Sequence, residues 1–379
     1  MLKFGTSGIR DLTENLLKNH VAKELAEKLS ALGWQTVIVA RDGRTGSDKL
    51  LAEFTKHFTG TVHDIGITTT PELAAQNGLA VMITASHNPS RYCGFKVFLN
   101  HFEQSTLDLP PVPAYNRWDE LPRDIVIDCA NGALGHKLHS LEFTNIINYS
   151  GEINHQAGVM YRVALTQHCQ QNNLEIGFAV DGDADRFMMY LGNRILSSEE
   201  VTLLIGRLLN LSTIVVDETM NSGLAKNFNL VHSAVGGESV IRAMRANRIN
   251  FGAEKSGHYY LDMNIGISDA VDAMILISKA YHEKGLAGFQ AILRTYRPVF
   301  QFDYSIKLED LPANYDDALQ QFVLPKGIRK IIRKSGTEPL LRITLEGKNK
   351  NAVHKVWLAL GAALNLPTEV INSGNLSFL

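Results

Sequence analysis

The sequence predicts an α/β protein assembled from four units, the first three of one type and the last smaller. Three observations carry this. Apolar runs of strand length alternate with stretches of helical period over roughly the first 297 residues. Several of those runs pass directly into polar, glycine-containing loops. From about Val299 the pattern changes to a strand, a helix, paired strands and a terminal helix over Ala352 to Leu364.

In chain order, Leu17, Val21, Leu25 and Leu29 recur every four positions and predict one helical stripe that Gly33 can end. TVIVARD follows as a buried strand, then a helix over Ser47 to Phe58 and a strand near Val62 to Ile65. A short helix after Pro71 leads to the strand LAVMIT, ending at Thr84. Strands separated by helices predict a mostly parallel sheet. A stretch with Pro110, Pro111, Pro113 and Pro122 reads as a linker, after which DIVIDCANG opens a second set that closes on the strand IGFAV. STIVVDE (Ser212 to Glu218) opens a third, with helices around Val240 to Ala246 and over Asp269 to Tyr281. The units are placed at residues 1–123, 124–211, 212–297 and 298–379. No strict sequence period relates them.

The 379 residues suffice for two to three average domains, and 45% apolar with 20% charged residues is ordinary globular composition. Lys plus Arg total 37 against 39 Asp plus Glu, a formal charge of −2 that provides no field for a polyanion, so nucleic acid is disfavoured as a partner. Cys93, Cys129 and Cys169 have neither disulfide-framework nor zinc-finger spacing. No apolar stretch reads as a signal peptide or a membrane span. The expectation is a cytoplasmic protein without a membrane partner.

Four loops could carry chemistry. TASHNPSRYCGFK (Thr84 to Lys96) follows an apolar strand, which places Ser86 at a strand's carboxyl end, where open α/β sheets put their sites. With His87 and Lys96 nearby, that hydroxyl could accept or donate a phosphoryl group, or be a serine in an Asn-Pro turn. DGDADR (Asp181 to Arg186) alternates three carboxylates whose repulsion calls for a cation, and hard oxygen ligands with open positions suit Mg²⁺. An acidic surface turn is the alternative. An EF-hand is excluded, because Arg186 stands where that loop needs Gly and Gly192 where it needs Glu.

GAEKSGHYY combines Glu254, Ser256 and His258, apt for sugar hydroxyls and proton transfer, or for an ordinary polar connection. RKSGTEPLLR sets Arg333 and Lys334 against Ser335, Gly336 and Thr337, a pattern for an oxyanion cradle or, with Lys326, Arg329 and Lys330, for a solvated basic face or a nucleic-acid patch. Neither a G-x-G-x-x-G nor a G-x-x-x-x-G-K-S/T segment occurs, which removes support for nicotinamide chemistry and ATP hydrolysis.

Taken in order, FGTSGIR, TASHNPSRYCGFK, DGDADR, GAEKSGH and RKSGTEP resemble the α-D-phosphohexomutase family of phosphoglucomutases, phosphomannomutases and phosphoglucosamine mutases. The resemblance spans Phe4 to Arg342, with further matches at ARDGRTGS, TTTPEL, DCANGALG and AVGGESVIRAM. It implies three similar α/β domains with mixed sheets, a smaller C-terminal α+β domain and a central cleft. It also implies a phosphoserine at Ser86 that exchanges its phosphoryl with a hexose monophosphate through a bisphosphate.

By the same resemblance, Asp181, Asp183, Asp185 and a phosphoryl oxygen on Ser86 ligate Mg²⁺, and Arg186 supports the phosphoserine. Arg10 and Lys96 flank the reacting hydroxyl, and Lys96 and His258 transfer protons. Glu254 and Ser256 hold the sugar, while Arg333, Ser335, Gly336 and Thr337 grip the phosphate that is not reacting. The expected substrate is a small sugar phosphate, with hexose 1,6-bisphosphate as activator, and the expected state is a monomer or homodimer. Phosphoglucosamine is slightly favoured over mannose or glucose phosphate.

The chain departs from the family at Asp11, where Gly is usual, at Cys93, where Asn is usual, and in short segments between Phe98 and Asp124 and up to Asp185. Two rival readings follow. In one, a Mg²⁺-dependent sugar phosphatase uses Asp181 as nucleophile and Asp183 as acid/base. In the other, the protein is a degenerate homologue that only binds sugar phosphates.

Overall fold

The computed structural model describes residues 8–76, 78–99, 102–103, 117–334 and 339–366. They divide between two compact units, one within residues 1–217 and 229–294, the other within 218–228 and 295–379. Among the described residues the strands form four sheets, three in the first unit and one in the second.

The first sheet grows from β1 (Ile9–Leu12), α1 (Thr13–Lys18), α2 (Val21–Ala31), β2 (Thr36–Arg41) and α3 (Ser47–His57). It continues through β3 (Thr61–Ile67), α4 (Thr70–Ala74), β4 (Leu79–Ile83), β5 (Tyr92–Leu99) and β6 (Phe102–Glu103). The strand order is β1-β5-β4-β2-β3, with β6 on β5. β2 is parallel to β3 and β4, whereas β5 is antiparallel to β1, β4 and β6. The sheet is thus mixed and not mostly parallel, because the chain leaving β4 turns back at once as β5 without the crossover that a parallel partner requires.

The single N-terminal stripe is two helices. His20 is left-handed at φ 51° and breaks the ladder, which lets Leu16 enter the core while Leu17 and Val21 are only partly buried. Leu25, Ala26, Leu50 and Phe54 pack from the helices onto Val37, Val39, Val81 and Phe95.

The second sheet comprises β7 (Val126–Asp128), α5 (Ala133–Ser140), β8 (Ile146–Ile147), α6 (Arg162–Gln171), β9 (Ile176–Val180), β10 (Phe187–Leu191) and β11 (Arg194–Ile195). Its order is β11-β10-β9-β7-β8. Then α7 (Ser198–Leu208) starts on a capping box between Ser197 and Glu200. The third sheet, β13-β12-β14-β15, uses β12 (Thr213–Asp217), β13 (Asn229–Ser233), α8 (Gly237–Asn247), β14 (Gly252–Ala253) and β15 (Tyr259–Tyr260). α9 (Ala270–Leu293) outruns the expected end at Tyr281 and is kinked at Gly285, φ 63°.

The second unit contains β16 (Phe300–Lys307), α10 (Tyr315–Gln321), β17 (Ile328–Lys334), β18 (Leu340–Gly347) and α11 (Lys350–Ala363). The order β16-β18-β17 is antiparallel throughout. α11 covers one face with Val353, Val356, Trp357 and Leu360, and the Trp357 ring stacks on Tyr304 at 8° between planes. Residues 218–228 belong to this unit. Ser222 N donates to Glu346 Oε1 at 2.6 Å, Arg329 Nη2 donates to Met220 O at 2.9 Å, and Asn221 Nδ2 donates to Val299 O at 2.9 Å. Arg329, itself partly exposed, also pairs with the buried Glu346, so one ion pair ties the strip to β17 and β18. No helix among the described residues is long and apolar enough to cross a membrane.

Candidate active site

β4 and β9 are apolar and buried at every position, so each ends abruptly where the polar residues begin. The loop after β4 carries Ser86, fully buried and left-handed at φ 53°. The loop between β9 and β10 carries Asp181, Asp183 and Asp185, with Ala184 left-handed at φ 57°. The two loops touch. A Cβ at Gly182 would stand 3.0 Å from Ser86 O and 2.7 Å from Ile153 Cδ1, so a side chain there would push the loops apart.

Ser86 Oγ donates to Asp181 Oδ2 at 2.5 Å and accepts from Arg186 Nη2 at 3.1 Å. Arg186 Nε lies 3.0 Å from Asp181 Oδ2, which closes a serine–aspartate–arginine triangle. His87 Nδ1 stands 3.4 Å from Ser86 Oγ. Burial, with Arg186 and Arg10 beside it, pushes the His87 imidazolium down to about 2, so that ring is neutral near pH 7. Arg10, on β1, is paired in register with Gly94 of β5.

One oxygen from each of the three aspartates lies within 4.8 Å of the others, and all three side chains are buried. Lys96 Nζ reaches into the group, 2.7 Å from Asp183 Oδ2 and in contact with Asp185 Oδ2. Burial and the repulsion of Asp185 and Asp183 push the Asp181 carboxyl up to about 7, against the pull of Arg186. Asp183 Oδ1 is buried without a hydrogen-bond partner. Hard oxygens in close apposition, one of them unpartnered, fit a divalent cation such as Mg²⁺.

The third sheet's residues close the group. His258 Nε2 is 3.2 Å from Asp185 Oδ1, and its Nδ1 is 3.3 Å from Glu254 Oε2 and 2.7 Å from Ser256 Oγ. Burial and Arg186 lower the His258 pKa, but Asp185 and Glu254 outweigh them and raise it to about 9. Glu254 is buried and accepts from Gly236 N and Tyr260 Oη, both at 2.9 Å, while Ser256 is exposed.

The sequence-derived residues Arg10, Ser86, Lys96, Asp181, Asp183, Asp185, Arg186, Glu254, Ser256 and His258 therefore all lie in the first unit, with nine of them linked by the contacts above. Arg333 lies on β17 in the second unit. Ser335, Gly336 and Thr337 lie outside the described residues.

Three further residues have no chemistry assigned from sequence. Thr70, the first residue of α4, donates its hydroxyl to Asp183 Oδ2 at 2.5 Å and its N–H to Asp183 O at 2.8 Å. Arg44 grips Asp42 through Nε and Nη2 and donates to Ser86 O at 2.9 Å. Asn154 also donates to Ser86 O. The TTTPEL and ARDGRTGS matches pointed at the first two segments without revealing what they hold; Asn154 lies in no matched motif.

The family descriptions agree with this architecture. Residues 1–106 match "Phosphoglucomutase/phosphomannomutase, alpha/beta/alpha domain I", residues 183–296 match its domain III, and residues 305–359 match its C-terminal domain. The phosphoglucosamine mutase of Dictyoglomus turgidum (strain DSM 6724 / Z-1310) is 28% identical over 423 aligned positions, covering 91% of this chain and 94% of that protein. That alignment is longer than the chain, so the relative carries segments absent here. The phosphoglucosamine mutase of Thermotoga sp. (strain RQ2) is 27% identical, covering 94% and 98%.

Among solved structures, a phosphoglucomutase/phosphomannomutase family protein of Burkholderia thailandensis superposes with TM-score 0.71 at 20% identity, covering 97% of this chain and all of that one. The N-acetylphosphoglucosamine mutase of Aspergillus fumigatus, in complex with GlcNAc-6P and magnesium, superposes with TM-score 0.63 at 18% identity, covering 96% and 95%.

Fold and matched domains define an isomerase that shifts phosphate on a hexose. The chain belongs to the α-D-phosphohexomutase family.

Proposed function

We propose that the protein is a Mg²⁺-dependent phosphohexomutase that interconverts the 1- and 6-phosphates of a hexose or amino-hexose through a phosphoserine at Ser86, acting on phosphoglucosamine ahead of mannose or glucose phosphate. The observation that carries this is the placement of Ser86 Oγ, held between Asp181 and Arg186 at the edge of three buried carboxylates. The names of the curated relatives favour the amino sugar. The four units at 1–123, 124–211, 212–297 and 298–379 would be its domains.

In the proposed cycle the phosphorylated Ser86 gives its phosphoryl to the free hydroxyl of a hexose monophosphate. The Ser86 O–P bond breaks as the sugar O–P bond forms, and the hydroxyl proton passes to Lys96 or His258 in its neutral form, which the carboxylates beside both groups disfavour until a cation takes up those oxygens. The resulting hexose 1,6-bisphosphate turns round and returns its other phosphoryl to Ser86. Asp181, Asp183 and Asp185 would hold Mg²⁺ beside the phosphoserine, where the ion supplies charge stabilisation for the group in transfer. Arg186 neutralises the phosphoserine, and Arg10 flanks the reacting hydroxyl. Glu254 and Ser256 hold the sugar hydroxyls, while Arg333, with Ser335, Gly336 and Thr337, holds the distal phosphate. An Aspergillus fumigatus relative complexed with glucose 1,6-bisphosphate, TM-score 0.59 at 15% identity and covering 98% of this chain and 95% of that one, is consistent with a bisphosphate as intermediate and activator.

Phosphorus NMR of the protein with Mg²⁺, a trace of hexose 1,6-bisphosphate and, separately, glucosamine-, glucose- and mannose 1-phosphate tests this. The expected result is conversion to the 6-phosphate, abolished in Ser86→Ala and fastest for glucosamine. Free phosphate released by both proteins would replace the reading with a phosphatase using Asp181. Tight sugar-phosphate binding with no turnover would replace it with a binding protein.

A further inference from the structure

The Ser86 backbone carbonyl is gripped from two sides. Arg44 Nη2, from the first sheet, donates to it at 2.9 Å, and Asn154 Nδ2, from the loop between β8 and α6, donates at 2.7 Å. The same Asn154 amide donates to Asn88 O at 3.0 Å. Its two hydrogens thus span the turn that contains Ser86, His87 and Asn88. A flipped amide would set its oxygen against two carbonyl oxygens, so the orientation is fixed by the contacts themselves.

Asn154 is itself held in an unusual state. Its backbone is left-handed at φ 58°, a conformation Asn tolerates better than most residues, and its N–H donates to Ala130 O at 2.8 Å. Its Oδ1 is buried without a hydrogen-bond partner. A buried polar atom left unsatisfied costs free energy, and such a cost persists where the rest of the group is fixed by a stronger requirement. The neighbouring contact of Ser90 with Glu152 crosses the same seam without touching the Ser86 carbonyl, while Asn131 Nδ2, which donates to Glu152 O at 3.1 Å, braces the β8–α6 loop from within the second sheet's own segment.

The turn needs such a grip. Ser86 sits in the left-handed region, which costs an L-residue about 1–2 kcal/mol. Its own N–H is held by Thr84 Oγ1 at 2.8 Å, and its carbonyl by Arg44 and Asn154. With both ends of the residue pinned, the Cα–Cβ bond is fixed, and in the χ1 well it occupies Oγ meets Asp181 and Arg186.

We propose that Asn154 is a positioning residue for phosphoryl transfer, the clamp by which the second sheet fixes the Ser86 turn and hence the direction of its hydroxyl. This rests on the mutase reading of Ser86. It assigns no contact between Asn154 and substrate, so its removal should slow chemistry without weakening sugar-phosphate binding.

Asn154→Gly removes the amide yet keeps the left-handed backbone, which glycine adopts freely. Asn154→Asp keeps the shape but turns a carboxylate oxygen toward the two carbonyls. The test follows Ser86 phosphorylation by hexose 1,6-bisphosphate by intact-protein mass, steady-state turnover, and amide exchange of the peptide covering 84–92. Asn154→Gly should phosphorylate at least about tenfold more slowly with KM within about twofold, and Asn154→Asp more slowly still. Exchange in 84–92 should quicken while that of β7 and β9 stays as in the unaltered protein. Ser90→Ala, which cuts the neighbouring contact to Glu152 alone, should behave as the unaltered protein.

Wild-type phosphorylation and exchange in Asn154→Gly would overturn the clamp, as would an exchange increase spread equally over the second sheet. A parent protein that takes no phosphoryl group on Ser86 would instead overturn the mutase reading. The exchange measurement then decides the clamp by itself.

Discussion

Thr70→Val isolates one hydrogen bond in the carboxylate cluster. Thr70 is 1% exposed, and its hydroxyl lies 2.5 Å from Asp183 Oδ2. Valine has nearly the same shape, so the substitution opens no cavity and removes only the donor. A hydrogen bond to a charged acceptor contributes about 1.5–3 kcal/mol. Lys96 stays on the same oxygen and Thr70 N stays on Asp183 O, so the lower end, about 1.5 kcal/mol, is the expected loss of unfolding free energy. The larger effect should fall on the cation. Partners that orient metal-ligating carboxylates typically change metal affinity about 10–100-fold when removed. The assay is mutase rate against Mg²⁺ concentration, alongside urea unfolding. The half-saturating Mg²⁺ concentration should rise at least about tenfold, with the rate recovering at high Mg²⁺. A variant that loses stability but keeps the parent's Mg²⁺ midpoint would show that Thr70 braces the loop without orienting a ligand, and would refute the reasoning.

Three other outcomes follow from the geometry. Asp183→Ala should depress the Mg²⁺-supported rate far more than sugar-phosphate affinity, compared by turnover and by calorimetric binding. Burial pushes the Asp128 carboxyl from 3.8 up to about 6, so the folded protein binds a proton that the unfolded chain releases. The stabilisation this group contributes is present below about pH 4 and lost by about pH 6, roughly 3 kcal/mol over the interval at 1.36 kcal/mol per pH unit. Asp128→Asn should therefore show a smaller fall in unfolding free energy between pH 4 and pH 7 than the parent. Trp357→Ala, which empties the largest buried side chain of the second unit, should cost about 3–5 kcal/mol in urea unfolding of that unit.

The sequence was most informative where one element imposed its own pattern. β4 and β9 are continuous apolar runs, so their ends, and with them Ser86 and Asp181, were placed without any tertiary information. Patterns that two structures satisfy equally were not resolved. Leu17, Val21, Leu25 and Leu29 keep their spacing across Asn19 and His20, so the break between α1 and α2 leaves no mark on it. Strands of two residues such as β8, β11, β14 and β15 are too short to show a period. β5 went unread as a strand, because Gly94 and Lys96 interrupt its apolar run and its first residues fall inside the TASHNPSRYCGFK loop motif. Thr70, Arg44 and Asn154 were missed as holders of the site for a further reason. Each acts through a partner distant in sequence, 113 positions away for Thr70 and 68 for Asn154, and no local spacing encodes such a pair.

The strip 218–228 has a consequence for how the protein is made. It leaves the ribosome between β12 and β13, yet residues that bind it, Thr295, Val299, Arg329 and Glu346 among them, are synthesised 67 or more positions after Phe228, the last residue of the strip. Until then Ser222 N, Met220 O and Asn221 Nδ2 lack these later partners, while the strands on either side can already pair with each other. A ribosome-bound chain stopped after Arg294 would thus leave Ser222 N without the Glu346 carboxylate that accepts from it. By the same logic, 295–366 grafted onto another protein would leave the Glu346 carboxylate without Ser222, so a transplant that keeps its stability must carry both pieces of chain.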